Sequence, residues 1–215
     1  MDLEKVLKLM KIQSKNAPVL KISRIANNEF KIAVCAILSS RTRDEITLKA
    51  CKKLFKKVKN VEDLIRIDEK ELEKLIYPVG FYRVKAKILK RFALELEKRF
   101  NSKIPSKLED LISLPGIGIK TAKVILSSAF KKPYIAVDTH VLRISNRLGL
   151  INTKDINEAN DILERIVPEN LKVKFNEIFV AFGQTVCKPK NPKCNICLLK
   201  DFCKYYKKIK KLRSW

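Results

Sequence analysis

The groups in this sequence best suited to chemistry are a lysine after a glycine turn, an aspartate at a helix start and four clustered cysteines. Lys120 lies in LPGIGIKTA (114–122), behind a proline and two glycines. A primary amine there could attack an electrophilic carbon and form an imine, or it could simply meet a phosphate. The partial positive charge of a helix start disfavours a second cation and so favours the free amine that a nucleophile needs. Asp138 lies in VDTHVLRISNRLGL (137–150), between an apolar run and a helical pattern. One role for it is N-cap, for which Asp is among the best residues. The other is a carboxylate that stabilises a cationic transition state or activates a nucleophile. The two roles can coexist, because a cap uses only one oxygen. His140, the one histidine, stands two residues further on and is expected to orient that turn rather than transfer protons.

Cys187, Cys194, Cys197 and Cys203 occupy CKPKNPKCNICLLKDFC (187–203) with the spacing C-x6-C-x2-C-x5-C. In a chain expected to be cytosolic, such a cluster suits a metal site better than two disulfides. Structural zinc sites usually pair two short knuckles across a longer loop. Closure within 17 residues favours an iron–sulfur cluster, with zinc as the alternative. Lys188, Lys190 and Lys193 fall between the first two cysteines, so a pinned loop would present three ammonium groups to a phosphate backbone. Cys35 and Cys51 fall on apolar helical stripes and are expected as buried hydrophobes.

The elements that must position these groups read as helices. Apolar residues recur at helical spacing and period-2 alternation is nearly absent. Over 44–58, Ile46, Ala50, Leu54 and Val58 form one stripe, widened by Cys51 and Phe55, with lysines opposite. Over 81–100, Val84, Ile88, Phe92 and Leu96 do the same. Shorter helices fit 61–67, 70–76, 120–130, 141–148, 156–167 and 173–183. SKLE (106–109) has capping-box spacing and opens a helix that must stop by Pro115. Leu114, Pro115, Gly116, Ile117 and Gly118 then form the turn of a hairpin. Its glycines allow positive φ and close approach of a phosphate, its free N–H groups face that phosphate, and Ile117 plugs the turn into the core. YPVGFYRVKA (77–86) repeats the proline, glycine and Lys-Ala rhythm. The chain reads as all-α, with many short helices and no linker.

With 47 Lys and Arg against 23 Asp and Glu, the formal net charge is +24. Nucleic acid is the first partner to expect, since neutralising phosphates releases counterions. IAVCAIL (32–38) is too short to span a bilayer, and the N-terminal MDLEKVLKLMKIQ lacks a signal peptide's long apolar centre. No membrane association and a cytoplasmic, nucleoid-associated location are expected.

LPGIGIKTA, then VDTH followed by NR, then the four cysteines stand in the order found in the endonuclease III family. The chain resembles that family of the helix-hairpin-helix DNA glycosylase superfamily over roughly residues 20–205. YPVGFYRVKA and ILSSRTRDE (37–45) also match family stretches. The resemblance implies two all-α lobes flanking a DNA-binding cleft. One is a six-helix barrel with the helix-hairpin-helix, here 22–132. The other joins 1–21 to 133–215 and carries a [4Fe-4S] cluster on the four cysteines. It also implies that Lys120 and Asp138 are catalytic, Lys120 as the Schiff-base nucleophile of a bifunctional glycosylase and abasic-site lyase. The substrate would be duplex DNA containing oxidised pyrimidines or abasic sites, with the enzyme acting as a monomer. Where many members place a gap-filling glutamine this chain has Arg41, whose flat guanidinium could stack there. Ser39, Phe81, Tyr82 and His140 are expected around the base pocket. A mismatch-directed glycosylase and a non-catalytic DNA-binding protein are the alternatives, and the amine of Lys120 counts against the monofunctional form of the first.

Overall fold

A computed structural model describes residues 2–213 of the chain. The outermost positions of the expected cluster-bearing lobe (1, 214 and 215) lie outside the described residues. The first seven helices are α1 (Leu3–Gln13), α2 (Pro18–Ile25), α3 (Glu29–Ser39), α4 (Asp44–Leu54), α5 (Val61–Arg66), α6 (Glu69–Ile76) and α7 (Tyr82–Phe100). They are followed by α8 (Leu108–Ile112), α9 (Ile119–Phe130), α10 (Thr139–Leu148), α11 (Ile156–Ile166), α12 (Glu169–Thr185) and α13 (Lys204–Arg213), with a 3₁₀ turn at Cys194–Ile196. Among the described residues there is no strand, and no helix is long and apolar enough to cross a membrane. The chain divides into two compact units, Lys21–Lys132 and Met1–Leu20 with Pro133–Trp215.

In the continuous unit, α3 packs on α4, α7 and α9, α7 packs on α5 and α6, and α8 packs on α9. Helix α3 is central because it is apolar nearly all round: Phe30, Ala33, Val34, Ile37 and Leu38 are all buried. Side-chain oxygens start several of these helices: Asn28, Asn60 and Asp68 each accept a first-turn amide. Helix α4 ends at Leu54, short of the 44–58 pattern, although Phe55 and Val58 beyond it stay buried.

Three local expectations change here. The buried stripe of α7 is Lys85, Leu89, Phe92 and Leu96, whereas Val84 is 56% exposed. Ser106 does not cap α8; Lys107 stands at that position without a side-chain bond, while the Ser106 carbonyl accepts from Lys132 Nζ at 2.5 Å. Cys35 and Cys51 are buried as expected, but they are also bonded to each other as a disulfide across the α3–α4 contact.

In the other unit, α12 packs on α1 and α10, and α10 packs on α13. Val6, Leu7 and Met10 of α1 meet a core that includes Val141, Ile144, Leu148, Phe175, Phe179 and Phe182. Removing each such side chain from water contributes about 1.5–3 kcal/mol. The rings of Phe175 and Phe179 stack with centroids 4.1 Å apart. Gln13 joins α1 to the cysteine loop, donating to the Ile196 carbonyl at 2.8 Å and accepting the Leu198 amide at 2.9 Å.

Candidate functional site

The hairpin turn is built around one glycine. Gly116 has φ +80°, and a Cβ there would lie 2.4 Å from Ile88 Cγ2, so both conformation and packing require its bare Cα. Gly118 has an ordinary φ of −93° and stands at the N-cap of α9, where a Cβ would meet nothing within 4 Å. The positive φ expected of both glycines belongs to Gly116 alone. Leu114 and Ile117 are buried and anchor the turn, the Ile117 amide donating to the Leu114 carbonyl at 3.2 Å. No side chain caps α9, which leaves its first-turn amides available to an anion. Lys120 stands on that first turn and is exposed.

Asp138 caps α10. Its Oδ1 alone accepts the amides of His140 (2.9 Å) and Val141 (2.8 Å), so the cap makes no use of Oδ2. His140 belongs to this turn: its Nδ1 lies 3.1 Å from Arg143 Nη2, and a Cβ on Gly183 would come within 2.4 Å of that nitrogen. Arg143 also donates to the carbonyls of Thr139 and Cys187, which ties the start of α10 to the end of α12. Burial pushes this guanidinium down from its ordinary range. Lys120 and Asp138 are carried by different compact units.

The four cysteines surround one cavity, walled by Leu148, Phe182, Val186 and Leu199 and edged by Arg147. None of the four is in a disulfide, and all are half-buried. Burial, with a smaller contribution from the neighbouring sulfurs, pushes the Cys197 thiol up to about 11. Anionic sulfurs here therefore need compensating charge, which a bound metal centre and nearby donors supply. Arg147 Nη1 donates to Cys187 Sγ at 3.3 Å, and the Leu199 amide to Cys197 Sγ at 3.4 Å. Among the described residues no three His, Cys, Asp or Glu side chains are grouped to hold a single ion. Four soft donors around an apolar cavity fit a polynuclear iron–sulfur cluster. Lys188, Lys190 and Lys193 are exposed on this loop, whose backbone is held by Arg147 through the carbonyls of Lys188 (2.8 Å) and Pro189 (3.1 Å).

The expected pocket residues divide between the units. Ser39, Phe81 and Tyr82 lie with Arg41 in the continuous unit, and His140 lies in the other. Arg41 and Phe81 have φ values of +51° and +57°, unusual for residues with side chains. The guanidinium of Arg41 sits over the Phe81 ring at 5.9 Å, and both residues are exposed. Tyr82 is half-buried and meets Tyr77 edge to face at 5.3 Å. Beneath them lies a group the sequence reading missed, Lys85, which is only 5% exposed. Its register was the available signal, since Lys85, Leu89, Phe92 and Leu96 follow 4-3-4 helical spacing.

Residues 34–169 match a family model described as HhH-GPD superfamily base excision DNA repair protein. Residues 187–203 match the iron–sulfur binding domain of endonuclease III. Endonuclease III of Thermotoga maritima is 42% identical over 179 residues, covering 83% of this chain and 84% of its own. A non-covalent endonuclease III–DNA complex is similar in structure with a TM-score of 0.84 at 32% identity, over 97% of each chain. A trapped endonuclease III–DNA covalent intermediate with an estranged adenine matches with the same score, identity and coverage.

Proposed function

The chain belongs to the endonuclease III family of the HhH-GPD superfamily, and we propose that Lys120 and Asp138 carry its chemistry. It is a base excision repair enzyme, a DNA glycosylase and lyase acting on damaged bases, and its cofactor is a [4Fe-4S] cluster. The substrates are oxidised pyrimidines and abasic sites in duplex DNA, with the target nucleotide turned out of the stack. Lys120 Nζ attacks the anomeric carbon of the sugar, and the bond to the base breaks with its electron pair leaving on the base. The Asp138 carboxylate stabilises the positive charge that develops. Opening of the sugar ring leaves an imine between Lys120 and the anomeric carbon. Once protonated, the imine acidifies the adjacent carbon. Loss of that proton expels the 3′ phosphate and nicks the strand.

The observation that carries this reading is the exposed amine of Lys120 on the uncapped first turn of α9, directly behind the Leu114–Gly118 turn. Amides of that turn hold a phosphate, and Lys188, Lys190 and Lys193 add sequence-independent grip. Arg41 fills the gap left by the displaced nucleotide; Ser39, Phe81, Tyr82 and His140 contact the base. Cys187, Cys194, Cys197 and Cys203 ligate the cluster, whose bound form pins the lysine-bearing loop. Residues 22–132 serve as the helix-hairpin-helix barrel, and 1–21 with 133–215 as the cluster domain. The enzyme acts as a monomer at the nucleoid.

Borohydride trapping on a duplex containing thymine glycol tests this assignment, with wild type and Lys120→Ala side by side. A covalent protein–DNA adduct from the wild type alone is expected. A wild type that binds the duplex but gives no adduct overturns the imine chemistry.

A further inference from the structure

Lys85 is the one buried lysine among the described residues, and the catalytic reading leaves it without a task. Its ammonium lies 2.8 Å from the Leu38 carbonyl, 2.5 Å from the Ser40 carbonyl and 3.1 Å from Thr42 Oγ1. Those carbonyls belong to the C-terminal end of α3, where the helix leaves acceptors unpaired and its dipole is negative. Helix α3 has no basic residue in its own last turn. A cation from α7 supplies what the end of α3 lacks.

The same contact reaches a second turn. Thr42 Oγ1 also accepts the Gly80 amide at 3.1 Å, so one hydroxyl joins the 39–42 turn to the 77–81 turn. The two backbones touch there: a Cβ on Gly80 would lie 2.8 Å from the Arg41 carbonyl. Each turn then projects one side chain from a left-handed backbone, Arg41 from the first and Phe81 from the second. Bulky residues keep such conformations only where their surroundings fix them. A guanidinium and an aromatic ring are also the two kinds of plane on which unstacked bases rest.

We propose that Lys85 is a positioning residue that locks the 39–42 and 77–81 turns together and so presents Arg41 and Phe81 as one preformed unit to the opened duplex. The inference rests on the glycosylase reading above. Lys85 touches no reacting atom in it. Work on a duplex needs the displaced nucleotide's place filled, whereas imine formation and strand scission at an abasic site in single-stranded DNA need no such filling. A positioning role therefore divides the two substrates, which a general loss of folding would not do.

The test compares wild type and Lys85→Met, both loaded with the cluster, in single-turnover reactions. One substrate is a thymine-glycol duplex carrying 2-aminopurine opposite the lesion; the other is a single strand with one abasic site. Duplex excision slower by tenfold or more, a weakened 2-aminopurine signal and single-strand scission within twofold of wild type are expected. Equal rates on both substrates overturn the inference, and so does a proportionate loss on both. A wild type inert on both substrates overturns the glycosylase reading and this inference with it. If Lys85→Met does not fold, Thr42→Val decides. It removes the shared hydroxyl at constant shape, and duplex excision should fall about threefold with single-strand scission retained; no such division overturns the proposal.

Discussion

Arg147 donates to Cys187 Sγ at 3.3 Å while the same guanidinium holds the carbonyls of Lys188 and Pro189 and lies 4.5 Å from the centre of the Tyr205 ring. One side chain thus supports the sulfur, the loop behind it and the first turn of α13. Arg147→Met should remove all of these contacts together. Hydrogen bonds to charged groups contribute about 1.5–3 kcal/mol each, and part of that is lost here to solvent exposure. A net loss of about 2 kcal/mol corresponds to a melting point roughly 4–8 °C lower. Calorimetry, with the rate at which the visible absorbance of the cluster bleaches in air, checks this. An unchanged bleaching rate would contradict the assignment.

Asp138 has a structural use on one oxygen and a chemical use proposed for its charge, and substitution can separate them. Asparagine caps helices about as well as aspartate, so Asp138→Asn should keep the stability of α10. Its excision rate should fall roughly 10²–10³-fold, the usual consequence of losing one electrostatic stabiliser. Asp138→Ala should lose the same activity and, in addition, about 1 kcal/mol of stability. Thermal denaturation and single-turnover excision on one set of samples distinguish the two substitutions.

The two hairpin glycines should respond differently. Gly116→Ala places a Cβ against Ile88 at positive φ and should cost about 1–3 kcal/mol. Gly118→Ala meets open space at an ordinary φ. Its stability should stay within about 1 kcal/mol of wild type, since alanine restricts the unfolded chain but is a poorer N-cap than glycine. Its duplex affinity should nonetheless fall, because the new methyl stands where a phosphate approaches the α9 amides. Melting curves and a binding titration at fixed salt check both halves.

Burial pushes the Lys85 ammonium down to about 8, below the roughly 10.4 of an exposed lysine. Between those values the unfolded chain holds more protons at this position than the folded chain. The group's contribution to stability therefore rises with pH across that window. Below about pH 8 the folded protein carries the full cost of a buried charge, partly offset by the three acceptors around it. The melting-point difference between wild type and Lys85→Met should shift in favour of wild type from pH 7 to pH 10. A difference independent of pH would contradict the sign.

The motif residues were legible because their chemistry is local. A capping aspartate, a glycine that needs positive φ and a cysteine spacing each state their requirement within a few positions. Asp138, Gly116 and the 187–203 loop stand in the structure as that local chemistry demands. Contacts between distant segments were not legible. The register of Lys85 signals an inward face, but its partners, the carbonyls at the end of α3, come from more than forty positions away. Cys35 and Cys51 each satisfy an apolar stripe, and nothing in either stripe reveals that the two face each other. Ser106 fits the capping-box spacing, yet its carbonyl is engaged by Lys132, and the helix begins one position later than the pattern allows.

The chain's first helix has its packing partner far down the sequence. Val6, Leu7 and Met10 are covered in a core to which α12 contributes Phe175, Phe179 and Phe182, and Gln13 grips a loop made later still. At ribosomal rates of 5–20 residues per second, α12 emerges on the order of 10–30 s after α1. During that interval the segment 21–132 can finish folding with an oily helix waiting at its leading end. With the four cysteines as the proposed ligands, the cluster site is complete only once Cys203 is out, so the loop that Gln13 grips is pinned later than α12 is made. A cell short of iron would thus hold chains in which α1 is packed on α12 but Gln13 grips a loop that lacks the cluster's anchor.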